Sequence, residues 1–460
     1  MRDISYSSFE NVEIPTCSFS SEECAEKEVR SEPKHGDLSR GVLVSRWKKY
    51  VILVCLSVYW FISTCSFSMI APFYPKEAES KGVSLTATGL VFAVFPLTMF
   101  IGSPIMGILI PIIGPKRVLI IGLILEGGTQ IIFGFVHQMP RKDVFLAFSF
   151  VVRTLSAVGG CATSTSSLVM LTNTFESNMS PAVGVLEAFG GFGMMAGPPI
   201  GGLLYYAGGF KLPFLVVGCI ALFTLLPLYF ILPTINVGRQ SHDGRKKFFS
   251  AVKIPAILLI ATLVAVSGMC LSFLDPTLQK HLVSSFQLST LQVGFVFLVG
   301  SGVYAVTAPG LGILADKTDT RYSICSGAVI CGLTFPLLGP PPVIPIIPSA
   351  LWLNCVALAL AGFGLALLLV PALADMNASA NRHGLESDLS TQSVLASIFN
   401  SMLNIGAIAG ASLGGVLAEY LSFAWATSIF GLSLCLVGLL AFGFTVCERR
   451  SSKYTRYITT

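Results

Sequence analysis

Charged residues are scarce in this sequence. Only 12% of the 460 residues are Asp, Glu, Lys or Arg, whereas 53% are hydrophobic and the mean hydropathy is +0.77. A water-soluble globule of this size would have too little polar material to cover its surface. The composition therefore excludes an ordinary soluble enzyme, and we expect no enzymatic activity. In a bilayer, the same length accommodates a dozen helices of roughly 20 residues each.

The sequence also lacks the motifs of nucleotide and metal chemistry. It contains no G-x-x-x-x-G-K-[ST] loop, which disfavours a nucleotide-driven pump. Its five histidines are scattered and form no metal-ligand cluster. Most of its 12 cysteines lie inside apolar runs, and we interpret them as small hydrophobic residues rather than disulfide partners. We expect no cofactor, no metal, no catalytic residue and no nucleic-acid partner.

Long apolar runs begin at Tyr50 and form two sets, separated by a polar interval. This pattern predicts an all-α membrane protein with twelve transmembrane helices in two six-helix halves. The runs lie at about 50–72, 87–110, 117–138, 143–170, 181–206 and 211–232, and then at about 254–276, 290–314, 321–339, 349–374, 390–418 and 423–446.

Acidic residues are concentrated near the N-terminus, where residues 1–37 hold nine acids against four bases. Such a segment cannot bury enough apolar area to fold, and we expect it to be disordered. The predicted segments are a tail (1–45), an N-terminal six-helix bundle (46–232), a linker (233–253), a C-terminal six-helix bundle (254–446) and a second tail (447–460).

Basic residues are distributed unequally between the two sides of the predicted membrane. If the N-terminus is cytoplasmic, 18 bases flank the inner ends of the helices and 6 lie in the outer loops. This bias predicts that both termini and the linker face the cytoplasm. The sequons at Asn178 and Asn377 would then also be cytoplasmic, and we expect neither to be glycosylated.

A glycine pattern occurs twice, at a constant offset of 213 residues. Small residues four positions apart share one helix face and allow a neighbouring helix to approach closely, while a proline adds a local bend. The repeat indicates two pseudo-symmetric halves, as in rocker-type secondary transporters. The first copy is Gly193, Gly197, Pro198, Gly201 and Gly202, and the second is Gly406, Gly410, Ala411, Gly414 and Gly415.

These motifs resemble those of the major facilitator superfamily. The first glycine copy is similar to its antiporter motif, and Gly312, Asp316, Lys317 and Arg321 are similar to its gating loop motif. The corresponding first loop departs, with Pro111 and Ile112 where the family usually has an acid and a base. Three segments further resemble the vesicular amine transporter family, in particular its polyamine-transporting branch: 71–79, 186–187 and 273–278.

The resemblance implies exchange of lumenal protons for cytosolic organic cations across the membrane of secretory or other acidic vesicles. Polyamines such as spermine and spermidine are the substrates that we expect, with protons and membrane lipid as the other partners and a monomer as the working unit. Two alternatives stay open. One is a proton-coupled multidrug or monoamine-type exporter, and the other is a membrane scaffold of the same fold that transports nothing.

Ionisable residues inside the bilayer cost about 2.5–3.5 kcal/mol each on insertion scales, so the few that are present are candidates for function. Glu187 and Asp275 are the first candidates for binding substrate or protons, although Asp275 is also compatible with a plain carboxylate near the lumenal surface. Glu126 is a further candidate. Arg153 is either a structural ion-pair partner of Glu187 or Glu126, or part of a proton relay. Asn400 is the repeat equivalent of Glu187 and is expected to line the same cavity.

The loop motif has two interpretations as well. Asp316, Lys317 and Arg321 form either an ionic latch at the cytoplasmic gate or a solvated topology signal. Three acids could join a latch: Asp375, Glu386 and Asp388.

Overall fold

The computed structural model describes residues 46–70, 73–176, 178–233, 244–288, 290–340 and 348–459. The predicted N-terminal tail, part of the linker and the proline-rich loop after residue 340 lie outside these ranges. Apart from a 3₁₀ turn at Val136–Gln138, the regular elements of the described part are α-helices. They are α1 (Arg46–Ser68), α2 (Tyr74–Ser80), α3 (Leu85–Ile113), α4 (Pro115–Phe133), α5 (Lys142–Thr174), α6 (Met179–Gly208), α7 (Lys211–Phe223), α8 (Leu225–Ile231), α9 (Gly244–Val252), α10 (Pro255–Phe286), α11 (Thr290–Lys317), α12 (Thr320–Leu338), α13 (Leu351–Arg382), α14 (Leu389–Tyr420) and α15 (Phe423–Thr459).

Eleven candidate membrane spans, chosen by length and apolar composition, occur in the described part of the chain. They match the predicted runs, with α7 and α8 together forming one span. The remaining predicted run corresponds to α6, whose 30 residues would extend about 45 Å. The many glycines of α6 make it less apolar than the other spans, but the helix is long enough to cross a membrane. The all-helical architecture with two six-helix halves is confirmed.

The glycine repeat positions equivalent helix pairs in the two halves. In the first half α6 packs on α1, and in the second half α14 packs on α10. A Cβ at Gly193 would lie 2.2 Å from the carbonyl oxygen of Phe61, and one at Gly406 would lie 1.9 Å from that of Ala265. No side chain fits at these distances. The repeat therefore allows an equivalent close helix crossing within each half.

The two halves meet mainly along two helix pairs, α3 with α14 and α6 with α11, with smaller contacts of α5 with α14 and α6 with α13. Glycines again permit close approach, because a Cβ at Gly184 would lie 2.5 Å from the carbonyl oxygen of Ala308, and one at Gly312 would lie 2.6 Å from that of Ser180. We call the end of the bundle that carries Gly114, α9 and Thr318 the linker end. All four residues of these glycine contacts lie toward that end.

Hydrogen bonds between the halves, like the glycine contacts, lie toward the linker end or at mid-helix. Asn173 donates to Gln392 at the linker end of α5 and α14, and Ser401 donates to the carbonyl oxygen of Phe100 near mid-helix, at 2.8 Å. In the described part of the chain, hydrogen bonds that join the halves lie at mid-helix or closer to the linker end. The linker end is therefore the closed end in this structure.

Candidate functional site

Glu187 lies at the boundary between the two halves. It projects from α6, and the hydroxyl of Tyr304 on α11 donates a hydrogen bond to its Oε2 at 3.2 Å. Both side chains are half-buried, and the small residues Ala188 and Ala305 pack beside them. A half-buried acid held by one neutral hydroxyl can take up a proton or a cation without breaking an ion pair.

Glu126 is a second carboxylate, buried within the first half. It is 4% exposed and accepts hydrogen bonds from three hydroxyls: Ser63 at 2.5 Å, Thr163 at 3.0 Å, and Tyr59. The donors come from α1 and α5, and α4 positions the acid between them. None of the ion pairs among the described residues includes Glu126. Hydroxyls can both donate and accept, so this arrangement suits the ionised and the protonated carboxyl alike.

Arg153 pairs with neither acid. It projects from α5, is 3% exposed, and lies over the rings of Phe95 and Phe67, with centroid distances of 5.0 and 5.8 Å. Its Nε and Nη2 have no hydrogen-bond partner among the residues that the structure describes. Of the two alternatives for this residue, an ion pair with Glu126 or Glu187 is not formed in this structure.

Asn400 also joins the two halves, but it does not contact Glu187. It projects from α14, and its amide lies 3.4 Å from the hydroxyl of Ser164 and 3.3 Å from that of Thr165, both on α5. Asp275 belongs to α10, whose helix continues through it, but its side chain lies outside the described residues. The structure therefore brings the predicted site residues to several places rather than to one cluster.

The antiporter glycines divide by what they face. Gly193, Gly197 and Gly201 face the backbone of α1, whereas a Cβ at Gly202 would meet nothing within 4 Å. Pro198 lies inside the continuous helix α6. The close crossing therefore depends on three of the four glycines in this motif.

The loop motif separates into a buried part and an exposed part. Arg321 is 6% exposed; its Nε donates to Asp375 at 3.0 Å, its Nη2 donates to Ser379 at 2.9 Å, and its Nη1 contacts Glu448. Asp316 and Lys317 are exposed at the linker end. The ion pairs of Arg321 connect α12, α13 and α15, all of which belong to the second half. In this state the motif stabilises one half rather than joining the two.

Replacing Asp375 by asparagine is expected to destabilise the protein by about 3–5 kcal/mol, because Arg321 would keep its charge at a buried position without its principal partner. The carboxylate of Asp375 is fully buried, so water cannot replace it. Thermal unfolding of the purified protein in detergent measures the loss. The control is Asp316→Asn, which removes an exposed acid of the same motif and should leave the melting temperature unchanged. Equal melting temperatures of the two variants would contradict the expectation.

A second contact holds the linker against the second half. Lys247 of α9 forms an ion pair with Asp388, which caps α14 by accepting a hydrogen bond from the backbone N–H of Thr391 at 2.9 Å. Burial alone would raise the pKa of the Asp388 carboxyl, but the hydrogen bonds from Lys247 and Thr391 and the charge of Lys247 lower it below its usual value.

The pH dependence of this contact follows from that direction. Because the folded pKa lies below the unfolded one, the stabilisation is complete above the unfolded value of about 4 and is lost as the pH falls through the folded value. We expect Asp388→Asn to lower the melting temperature at pH 7, with a difference from wild type that disappears toward pH 3. Glu386→Gln, an exposed acid in the same loop, serves as the control. A difference that persists in acid would contradict the assignment.

Several partners of the site residues are not among the residues that the sequence singled out, and Thr163 and Glu448 are two examples. Thr163 opens a run of hydroxyl residues, 163–167, inside an otherwise apolar span, and this run was the available signal. Glu448 lies past the predicted end of the last span, where an acidic side chain is expected to be exposed to solvent. Only the packing of α15 on α12 brings it to Arg321.

Comparisons with known proteins agree with this architecture. The profile of the Major Facilitator Superfamily matches residues 56–387. The chain is 36% identical over 394 residues to the MFS-type transporter SLC18B1 of Mus musculus, covering 84% of this chain and 85% of that protein. It is 26% identical over 377 residues to the synaptic vesicular amine transporter of Homo sapiens, covering 80% and 69%.

A solved structure shows the same fold. The human organic anion transporter MFSD10 (TETRAN) superposes with a TM-score of 0.69 at 14% sequence identity, covering 85% of this chain and 99% of that one. At this identity the likeness concerns the fold alone. Together, the paired six-helix halves, the family profile and the relatives show that the chain is a multi-pass membrane protein that belongs to the Major Facilitator Superfamily and is related to the vesicular amine transporters.

Proposed function

We propose that this protein is a secondary active antiporter that exchanges protons for organic cations, in particular polyamines such as spermine and spermidine, across the membrane of an acidic vesicle. The observation that carries the proposal is Glu187, a half-buried carboxylate at the boundary of the halves whose partner is the neutral hydroxyl of Tyr304. The name of one relative, the synaptic vesicular amine transporter, supports an amine as the substrate class.

Competition of the proton and the organic cation for one carboxylate couples their movements. A cationic amine binds an ionised acid, whereas a proton from the lumen neutralises the same acid and releases the amine. Glu187 supplies such a group at the boundary, and Glu126 supplies a second one within the first half. With the linker on the cytoplasmic side, as the basic residues predict, the closed linker end makes this a lumen-facing state in which Glu187 would release cation and take up proton.

The driving force is adequate for concentration of a cation. One pH unit supplies about 1.4 kcal/mol for each proton that leaves the vesicle. A membrane potential of 100 mV adds about 2.3 kcal/mol for each net charge moved. An exchange that exports more charge than it imports would therefore use both gradients.

Uptake into proteoliposomes tests the proposal. Purified protein is reconstituted into vesicles with an acidic interior, labelled spermidine is added outside, and an ionophore that collapses the gradient provides the control. We expect accumulation that requires the gradient. Accumulation of hydrophobic cations that spermidine does not inhibit would instead favour a multidrug exporter. Absence of uptake of every cation, by protein shown to be intact and inserted, would favour a scaffold without transport.

A further inference from the structure

Arg153 has an uncompensated charge at a buried position in the first half. Its side chain is 3% exposed, and within the described part of the chain its Nε and Nη2 have no hydrogen-bond partner. The rings of Phe67 and Phe95 attract the cation through their faces, but a ring face is a poor substitute for an acceptor of the in-plane N–H groups. A buried guanidinium of this kind is expected to have a negatively charged partner.

Two further donors face the same place. Ser149 lies one turn before Arg153 on the same face of α5, and Tyr74 projects from α2. The Tyr74 hydroxyl lies beside Ser149 and interacts electrostatically with Arg153. Both side chains are fully buried, and among the described residues neither hydroxyl has a partner other than the neighbouring hydroxyl of this pair. A hydrogen bond between the two hydroxyls uses the proton of one of them, so the other proton remains available beside the N–H groups of Arg153.

No carboxylate of known position supplies the missing charge. The described acids well inside candidate spans of the first half and at the boundary make contacts elsewhere: Glu126 with Tyr59, Ser63 and Thr163, and Glu187 with Tyr304. Asp375, in the second half, pairs with Arg321. Water could accept the hydrogen bonds, but it would leave the charge of Arg153 unbalanced. A small anion would satisfy both requirements.

The surroundings favour an anion of single charge. The ring of Tyr74 packs between Phe92, Phe133 and Phe145, which fixes its hydroxyl, and Phe67 and Phe95 form apolar walls beside Arg153. Divalent anions lose more hydration energy in such a site than monovalent ones. We propose that Arg153, Ser149 and Tyr74 form a binding site for a small monovalent anion such as chloride, which connects α2 to α5.

Thermal unfolding of the full-length protein in detergent tests this site independently of transport. Chloride and bromide are compared with gluconate, a bulky anion, at constant ionic strength. A ligand that binds only the folded state raises the melting temperature with concentration, and we expect a rise of about 3 °C when chloride is well above its dissociation constant. Equal melting temperatures in chloride and gluconate would overturn the proposal.

Three variants locate the effect. Tyr74→Phe and Ser149→Ala each remove one hydroxyl and should reduce the chloride-dependent rise, and Arg153→Gln should abolish it. The control Tyr206→Phe removes a hydroxyl from a side chain that is 91% exposed and should keep the full rise. A full chloride response in Arg153→Gln would place the anion elsewhere and overturn the assignment. Each variant is compared with itself in the two salts, so a general change in stability does not affect the result.

Discussion

Replacement of Glu187 by glutamine is expected to reduce gradient-driven polyamine uptake about 10- to 100-fold. Glutamine keeps the size of the side chain and an oxygen that can accept the hydrogen bond of Tyr304, but it can neither carry a negative charge nor take up a proton. Loss of the hydrogen bond between the ionised carboxylate and an ammonium group of the substrate costs about 1.5–3 kcal/mol, which corresponds to this range of uptake. Cation binding and proton uptake both depend on this charge, so substrate binding and proton coupling should be lost together.

The folded protein should tolerate this change. Glu187 is half-buried and has one neutral partner, so its neutralisation leaves no unpaired cation behind. Uptake of labelled spermidine, normalised to the amount of inserted protein, measures the effect, and the melting temperature confirms folding. Glu386→Gln, which neutralises an exposed acid outside the boundary, is the matched control. Uptake by Glu187→Gln equal to that of the control would refute the role of this carboxylate.

A Tyr304→Phe variant separates charge from position. It removes the hydrogen bond that Glu187 accepts within the described part of the chain and leaves the carboxylate in place. If Tyr304 only positions the acid, we expect a smaller loss, together with a shift in the pH at which uptake is half-maximal. The combination of a large loss in Glu187→Gln and a small loss in Tyr304→Phe would identify the carboxylate as the group that binds.

The sequence was sufficient for the features that depend on local pattern. The positions of the helices follow from long apolar runs, and the close crossings follow from glycines four residues apart. A resemblance carried by short motifs was likewise sufficient for the family. Each of these properties depends on residues within one or two helical segments, so it can be predicted from local patterns in the sequence.

The contacts of the buried charges could not be obtained in the same way. Whether Glu126 faces α1 or the lipid depends on the rotation of α4 about its axis, which all its neighbours determine together. For Arg153 the sequence leaves an ion pair with an acid and a proton relay open, and the neighbours of this residue in the structure are aromatic rings and hydroxyls. For Arg321 the sequence names Asp375 only as one of three acids that could join the latch, and it gives no indication of Glu448, the partner from α15. Contacts between distant segments have no local signature.

Introduction of a methyl group at Gly406 is expected to prevent stable folding of the second half. The Cβ of Gly406→Ala would lie 1.9 Å from the carbonyl oxygen of Ala265 and 2.8 Å from its carbonyl carbon. These are backbone atoms of α10, which cannot move unless the whole helix moves. Overpacking in a well-packed interior typically costs about 1–3 kcal/mol, and a clash with backbone should lie at or above the upper end of that range.

Gly202→Ala provides the matched control, because it makes the same change in the equivalent glycine motif of the first half. A Cβ at this position would meet nothing within 4 Å, and alanine favours a helix over glycine by up to about 1 kcal/mol. We therefore expect Gly202→Ala to be neutral or stabilising, whereas Gly406→Ala gives little monodisperse protein and a much lower melting temperature. Size-exclusion profiles and thermal unfolding of the two variants check this directly. If both alanines were tolerated equally, the glycines could not act by allowing close approach, and the shared motif would need an explanation other than helix packing.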